Sequence, residues 1–165
     1  MSKKVGFITG DMVVYPAHGV GRVNSVEKQH VAGQDLEVFV ISFDHDRMTL
    51  RLPTAKAQNS GLRKLTSKRD MSEALKALKK RGRIRRAMWS RRAQEYETKI
   101  NSGDPNSLVE VIRELYRHEG QPEQSYSERQ LYQVAIKRLA RELAAIEAID
   151  ETKAITKVEK VLSAA

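Results

Sequence analysis

"RLPTAKAQNSGLRKLTSKRDMSEALKALKKR" occupies residues 51–81, and the period of its apolar residues changes along the way. At the start the period is two: in "TLRLP", Leu50 and Leu52 point to one side of an extended chain, Thr49 and Arg51 to the other. At the end the period is helical, with Met71, Leu75 and Leu78 at i, i+4 and i+7. Between them, "NSGLRKL" can add one more short strand. The change of period marks a boundary near residues 65–70. It predicts a β domain over residues 1–66 and an all-helical domain over residues 67–165.

Toward the N-terminus the β signal continues. "DMVVY" (11–15), "GVGRVNSVEK" (19–28), "LEVFVISF" (36–43) and "RMTLRL" (47–52) are rich in Val, Ile, Phe and Thr. The turn sequences "PAHG", "VAGQD" and "DHD" separate them. Four or five short strands with tight turns predict a small, strongly bent antiparallel barrel of the SH3 or Tudor type, with two small packed sheets as the alternative. Such a unit is small for independent stability.

Toward the C-terminus the signal is helical throughout. Trp89, Ala93, Tyr96 and Ile100 form one stripe, ended by "NSGDP". Asp104 then caps a helix with Pro105 at its first position, carrying Leu108, Ile112, Leu115 and Tyr116 and stopping at Gly120. "SYSERQ" offers two capping boxes, Ser125 with Glu128 or Ser127 with Gln130. A long helix follows, with Leu131, Ala135, Leu139, Leu143 and Ile146. Asp150 caps a last one with Ile155, Val158 and Leu162. Short connections predict a compact bundle, so the expected class is α+β in two domains.

The net charge of the 165 residues is +9, and its placement is informative. Residues 62–100 hold fourteen Lys and Arg against four acidic residues, whereas the rest of the chain holds sixteen against seventeen. A basic zone on a neutral background is the electrostatic footprint of a phosphate-rich partner; a solvated helix face or an anionic membrane surface are the competing readings. The absence of cysteine excludes disulfides, thiolate metal sites and cysteine nucleophiles, and fits a cytoplasmic setting. No apolar run approaches the ~18 residues of a membrane span.

No catalytic constellation emerges. His18, His30, His45 and His118 are too scattered for metal-ligand spacing. "DHD" at 44–46 reads as a polar turn rather than a cation site. In "PAHGVG", Gly19 and Gly21 suit a turn with unusual backbone angles, not a phosphate loop.

The densest basic run, "KKRGRIRRAMWSRR" (79–92), has eight basic residues and the chain's only tryptophan, Trp89. Periodicity makes Trp89 the first core residue of its helix. Its place at the helix start, among Arg85, Arg86, Arg91 and Arg92, equally suits stacking on an unpaired base or wedging into a distorted minor groove.

"GDMVVYPAHGVGRV" and "TLRLP", then "WSRR" and "INSGDPNSLVEVIRELY", together resemble the CarD/CdnL family of bacterial transcription regulators, in order and over nearly the whole chain. The N-terminal half also looks like the RNA polymerase-binding module of the transcription-repair coupling factor. The resemblance implies a Tudor-like module that docks on the polymerase β subunit and a helical domain that reaches promoter DNA at the upstream edge of the transcription bubble. It implies no catalysis, no cofactor and no small-molecule substrate. A cytoplasmic protein, associated with the nucleoid through the polymerase, and a monomer are the expectations.

Carried over by position, Trp89 is the wedge and Arg91 and Arg92 contact the DNA backbone. Arg51, Pro53 and Lys28 face the polymerase from one surface. Two departures from the family pattern stand out. Gln94 occupies a position where some relatives are basic, and "KKRGRIRR" is unusually basic. The second shifts the expected contact set upstream toward Arg83, Arg85 and Arg86. A stand-alone architectural DNA-binding protein and an RNA-binding or ribosome-associated module are the competing classes. The near-neutral β half separates them from the first reading, because such a surface suits a protein partner better than a phosphate backbone.

Overall fold

The computed structural model describes residues 6–43, 45, 47–82 and 87–165. The chain divides into two compact units, Met1–Leu65 and Thr66–Ala165. The first contains β1 (Met12–Tyr15), β2 (Gly19–Val31), β3 (Gln34–Phe43), β4 (Met48–Pro53), the single turn α1 (Thr54–Ala57) and β5 (Arg63–Lys64). All five strands belong to one antiparallel sheet in the order β4-β3-β2-β1-β5, rather than to two packed sheets. The short strand expected in "NSGLRKL" is β5, paired with β1 through Val13↔Lys64 and Val14↔Arg63.

The bend of this unit has a local cause. The β2–β3 register skips Asn24, between the pairs Val23↔Ile41 and Ser25↔Val40. Such a bulge bends its strand and sharpens the twist. β1 pairs only with the part of β2 before the bulge. Alternating residues then gather on one face: Val13, Val23, Phe39, Ile41, Phe43 and Leu52 form the core with Phe7, Ala57 and Leu62. Leu50 packs against this core and Arg51 is exposed, as the alternation in "TLRLP" predicts.

The two glycines of "PAHGVG" serve different needs. Gly19 has φ +82° and needs the freedom of glycine. Gly21 has no left-handed backbone, against expectation. It is needed for space, because a Cβ there would lie 2.8 Å from the Phe43 ring and 2.9 Å from Ile41. The turn "DHD" was expected between β3 and β4; its Asp44 and Asp46 lie outside the described residues.

The second unit contains α2 (Lys68–Ala77), α3 (Trp89–Ser102), α4 (Pro105–Leu115), α5 (Tyr126–Glu147) and α6 (Glu151–Ser163). Their starts follow the capping chemistry. Ser67 accepts from the Asp70 N–H, Asp104 from Asn106, and Asp150 from Lys153. Of the two capping boxes offered, the chain uses Ser125 with Glu128. α4 ends at Leu115 rather than running to Gly120, since Tyr116 turns extended. The bundle core joins Met71 and Leu78, Tyr96 and Ile100, Leu108, Ile112 and Leu115, Ala135, Leu139 and Leu143, and Val158 and Leu162. Glu142 is buried among them, and its Oε2 accepts from the Thr66 N–H at 2.8 Å, which ties the start of the unit to α5.

Candidate nucleic-acid interface

Trp89 is the first residue of α3. Of the stripe expected from its spacing, Tyr96 and Ile100 are buried, Trp89 is half-buried against the same core, and Ala93 is half-buried without joining it. The core reading of the ring therefore holds in part. The ring is packed on the core, its centroid 6.4 Å from that of Tyr96, and the residue as a whole is half-buried. Met88 precedes it and is 76% exposed. α3 begins without a side-chain cap and with no acidic residue in its first turn. Among the described residues, no acidic side chain of its own first turn offsets the positive end of its dipole.

The two arginines of "WSRR" part company. Arg91 is exposed, but Arg92 is only 8% exposed. The Arg92 Nη2 donates to the Tyr96 hydroxyl at 3.1 Å and lies 3.6 Å from Glu128 Oε2. Its guanidinium carbon is 5.5 Å from the Trp89 ring centroid and 5.6 Å from that of Tyr96. In this arrangement the Arg92 guanidinium is turned inward onto Tyr96 and Glu128, away from the solvent side where the expected backbone-phosphate contact would be made. Periodicity carried the signal. Arg92 stands three residues after Trp89 and four before Tyr96, on the apolar face of the helix.

Glu128 is a residue that sequence reasoning gave only a capping role. Its Oε1 accepts from the Ser125 N–H at 3.1 Å, closing the capping box, while its Oε2 accepts from Arg117 Nη2 at 2.6 Å. Burial raises the pKa of Glu128, but the Ser125 N–H and the charges of Arg117 and Arg92 outweigh it and hold the carboxyl below its ordinary value. Arg117 in turn donates to the carbonyls of Glu114 and Leu115 at the end of α4. Burial raises the Tyr96 phenol, partly countered by Arg92.

The basic residues Lys79, Lys80 and Arg81 are exposed after α2. Gly82 then passes against α4 so closely that a Cβ would meet the Arg113 carbonyl oxygen at 2.3 Å. Arg83, Arg85 and Arg86 lie outside the described residues. Gln94 is exposed on α3.

In the β unit, Arg51 and Lys28 are exposed and Pro53 is half-buried. Pro53 pairs with Val38 and Arg51 with Val40, so the two share one face of the sheet. Lys28 pairs with Glu37, one alternation out of step, and so belongs to the other face. The single surface expected for all three is therefore two.

Residues 7–66 match the CarD-like/TRCF RID domain, a class of RNA polymerase-interacting module with a Tudor-like fold, and residues 73–159 match the CarD C-terminal domain. A curated relative, "Putative transcription factor YdeB" of Bacillus subtilis (strain 168), is 28% identical over 145 residues, which cover 88% of this chain and 95% of the relative. With one model on each unit, and in the same order, the chain belongs to the CarD family of transcription regulators.

Proposed function

We propose that the protein binds the RNA polymerase β subunit through its β unit and stabilises the open promoter complex through its helical unit. In this reading Trp89 contacts the upstream edge of the bubble. Arg91 and the basic run of residues 79–86, including Arg83, Arg85 and Arg86, hold the DNA backbone.

The observation that carries the reading is the start of α3. A half-buried tryptophan follows an exposed methionine at a helix start without a side-chain cap, with Arg91 exposed two residues in. An apolar wedge flanked by cations suits a distorted minor groove. Phosphate contacts supply salt-sensitive affinity without sequence preference. So few contacts bind weakly alone. Tethering through the polymerase raises the effective concentration to roughly millimolar. A ring that meets only the opened junction favours the open state differentially, and about 1.4 kcal/mol of such preference shifts melting tenfold.

The test is the lifetime of open complexes at a ribosomal RNA promoter after competitor challenge, with polymerase from the same organism. The wild type should lengthen the lifetime, and Trp89→Ala should not, while still binding polymerase. Equal action by both would move the DNA contact to the basic run. No effect of the wild type, together with tight duplex binding by the free protein, would favour a stand-alone DNA-binding role.

A further inference from the structure

Trp89 sits where a side chain is hardest to hold. It is the first residue of its helix and only half-buried. A ring that must enter a DNA step gains from being fixed beforehand, because rotamers frozen on binding weaken it. The fixing group here is Arg92. A planar guanidinium 5.5 Å from the indole centroid is within cation–π range, and the same group reaches Tyr96.

A cation so deeply placed needs a counter-charge. Glu128 provides it, with a side chain only 12% exposed that is shared with Arg117. Glu128 is itself immobilised by the capping box of α5, and Arg117 by the last carbonyls of α4. The indole is thereby connected, through two ion pairs and a helix cap, to the framework of the bundle.

We propose that Arg92 is a positioning residue: paired with Glu128, it fixes the Trp89 ring for contact with DNA and makes no phosphate contact itself, leaving that role to Arg91. This deepens the reading of Trp89 as the DNA-contacting residue and rests on it.

Trp89 is the chain's only tryptophan, so its fluorescence anisotropy and acrylamide quenching report the ring directly in the free, full-length protein. Arg92→Met keeps the stem of the side chain and removes the charge. It should lower the anisotropy and increase the quenching while thermal unfolding stays cooperative. Glu128→Gln should move both signals in the same direction, and should add nothing in the Arg92→Met background. The salt slope of binding to promoter fork DNA should be unchanged by Arg92→Met but should fall by about 0.9 for Arg91→Gln, the share of one phosphate contact. Open-complex lifetime should fall roughly fivefold with Arg92→Met, the scale of a partly buried cation–π contact. It should not fall further when Trp89 is already alanine.

An Arg92→Met protein with unchanged Trp89 fluorescence and a reduced salt slope would overturn the proposal and make Arg92 a phosphate ligand. If Trp89→Ala lengthens the lifetime as the wild type does, the reading of Trp89 as the DNA-contacting residue fails instead, and the fluorescence still decides what Arg92 does to the ring.

Discussion

Arg51 and Lys28 leave the same sheet on opposite faces, since their partners on β3 are Val40 and Glu37. A polymerase segment docked flat on the sheet covers one face and not both. Arg51 shares its face with Pro53, the other residue placed by the family pattern, so that is the face expected to dock. Arg51→Glu should abolish capture of the polymerase β subunit by the full-length protein, whereas Lys28→Glu should weaken it less than about threefold, the scale of a rim charge. Both positions are exposed, so melting should not move. Equal losses for the two would mean that the partner wraps an edge of the sheet.

Gly82 packs tightly against the backbone of α4. Alanine there would push a methyl to 2.3 Å from a backbone oxygen of α4, which no rotamer can relieve. Gly82→Ala should cost about 1–3 kcal/mol, the range for overpacking a tight contact. Gly6→Ala, with nothing within 4 Å of its Cβ, should be near neutral. Thermal denaturation of the two variants beside the wild type checks the difference. An unchanged melting temperature for Gly82→Ala would show that the segment yields freely at this point.

What the sequence made legible follows from how local each cause is. Helix starts at Asp104, Ser125 and Asp150 are written within four residues, and all three form. The apolar stripes of α3 and α5 depend only on period, and they point inward as expected. The bulge at Asn24 and the burial of Glu142 depend on partners distant in the chain. The candidate site divides in the same way. Trp89 was legible as a residue with two roles, and spacing alone puts Arg92 on the apolar face of α3, but its partner Glu128 lies on another helix, which periodicity within α3 cannot supply.

The hairpin between β2 and β3 is closed by Ala32 and Gly33, at φ +52° and +77°. Two consecutive positive values match the tight turn that fits the twist of antiparallel strands, which favours Asn-Gly. Alanine is strained at the first of them. Ala32→Asn should therefore stabilise the protein by about 0.5–1 kcal/mol, an outcome readable as an upward shift in denaturant midpoint with unchanged slope. A fall in the midpoint would mean that the Ala32 side chain makes a contact that the turn preference does not outweigh.

The Glu128 carboxyl gives the helical unit an acid-sensitive point. Its pKa in the folded protein is depressed below the ordinary 4.5. A depressed carboxylate contributes stability above the unfolded value, and that contribution disappears as the pH falls through the folded one. The wild type should therefore exceed Glu128→Gln in melting temperature at neutral pH, and the gap should close below about pH 4.5 as the native carboxyl protonates. Taking the difference between the two proteins cancels the other carboxylates, which titrate in both. Because Arg92 lies against Trp89 and loses its counter-charge in the same step, the indole quenching of the wild type should rise over that acid range while far-ultraviolet dichroism remains native. A melting-temperature gap that stays constant down to about pH 3 would show that the Glu128 charge is not what holds Arg92, and that its capping bonds alone stabilise α5.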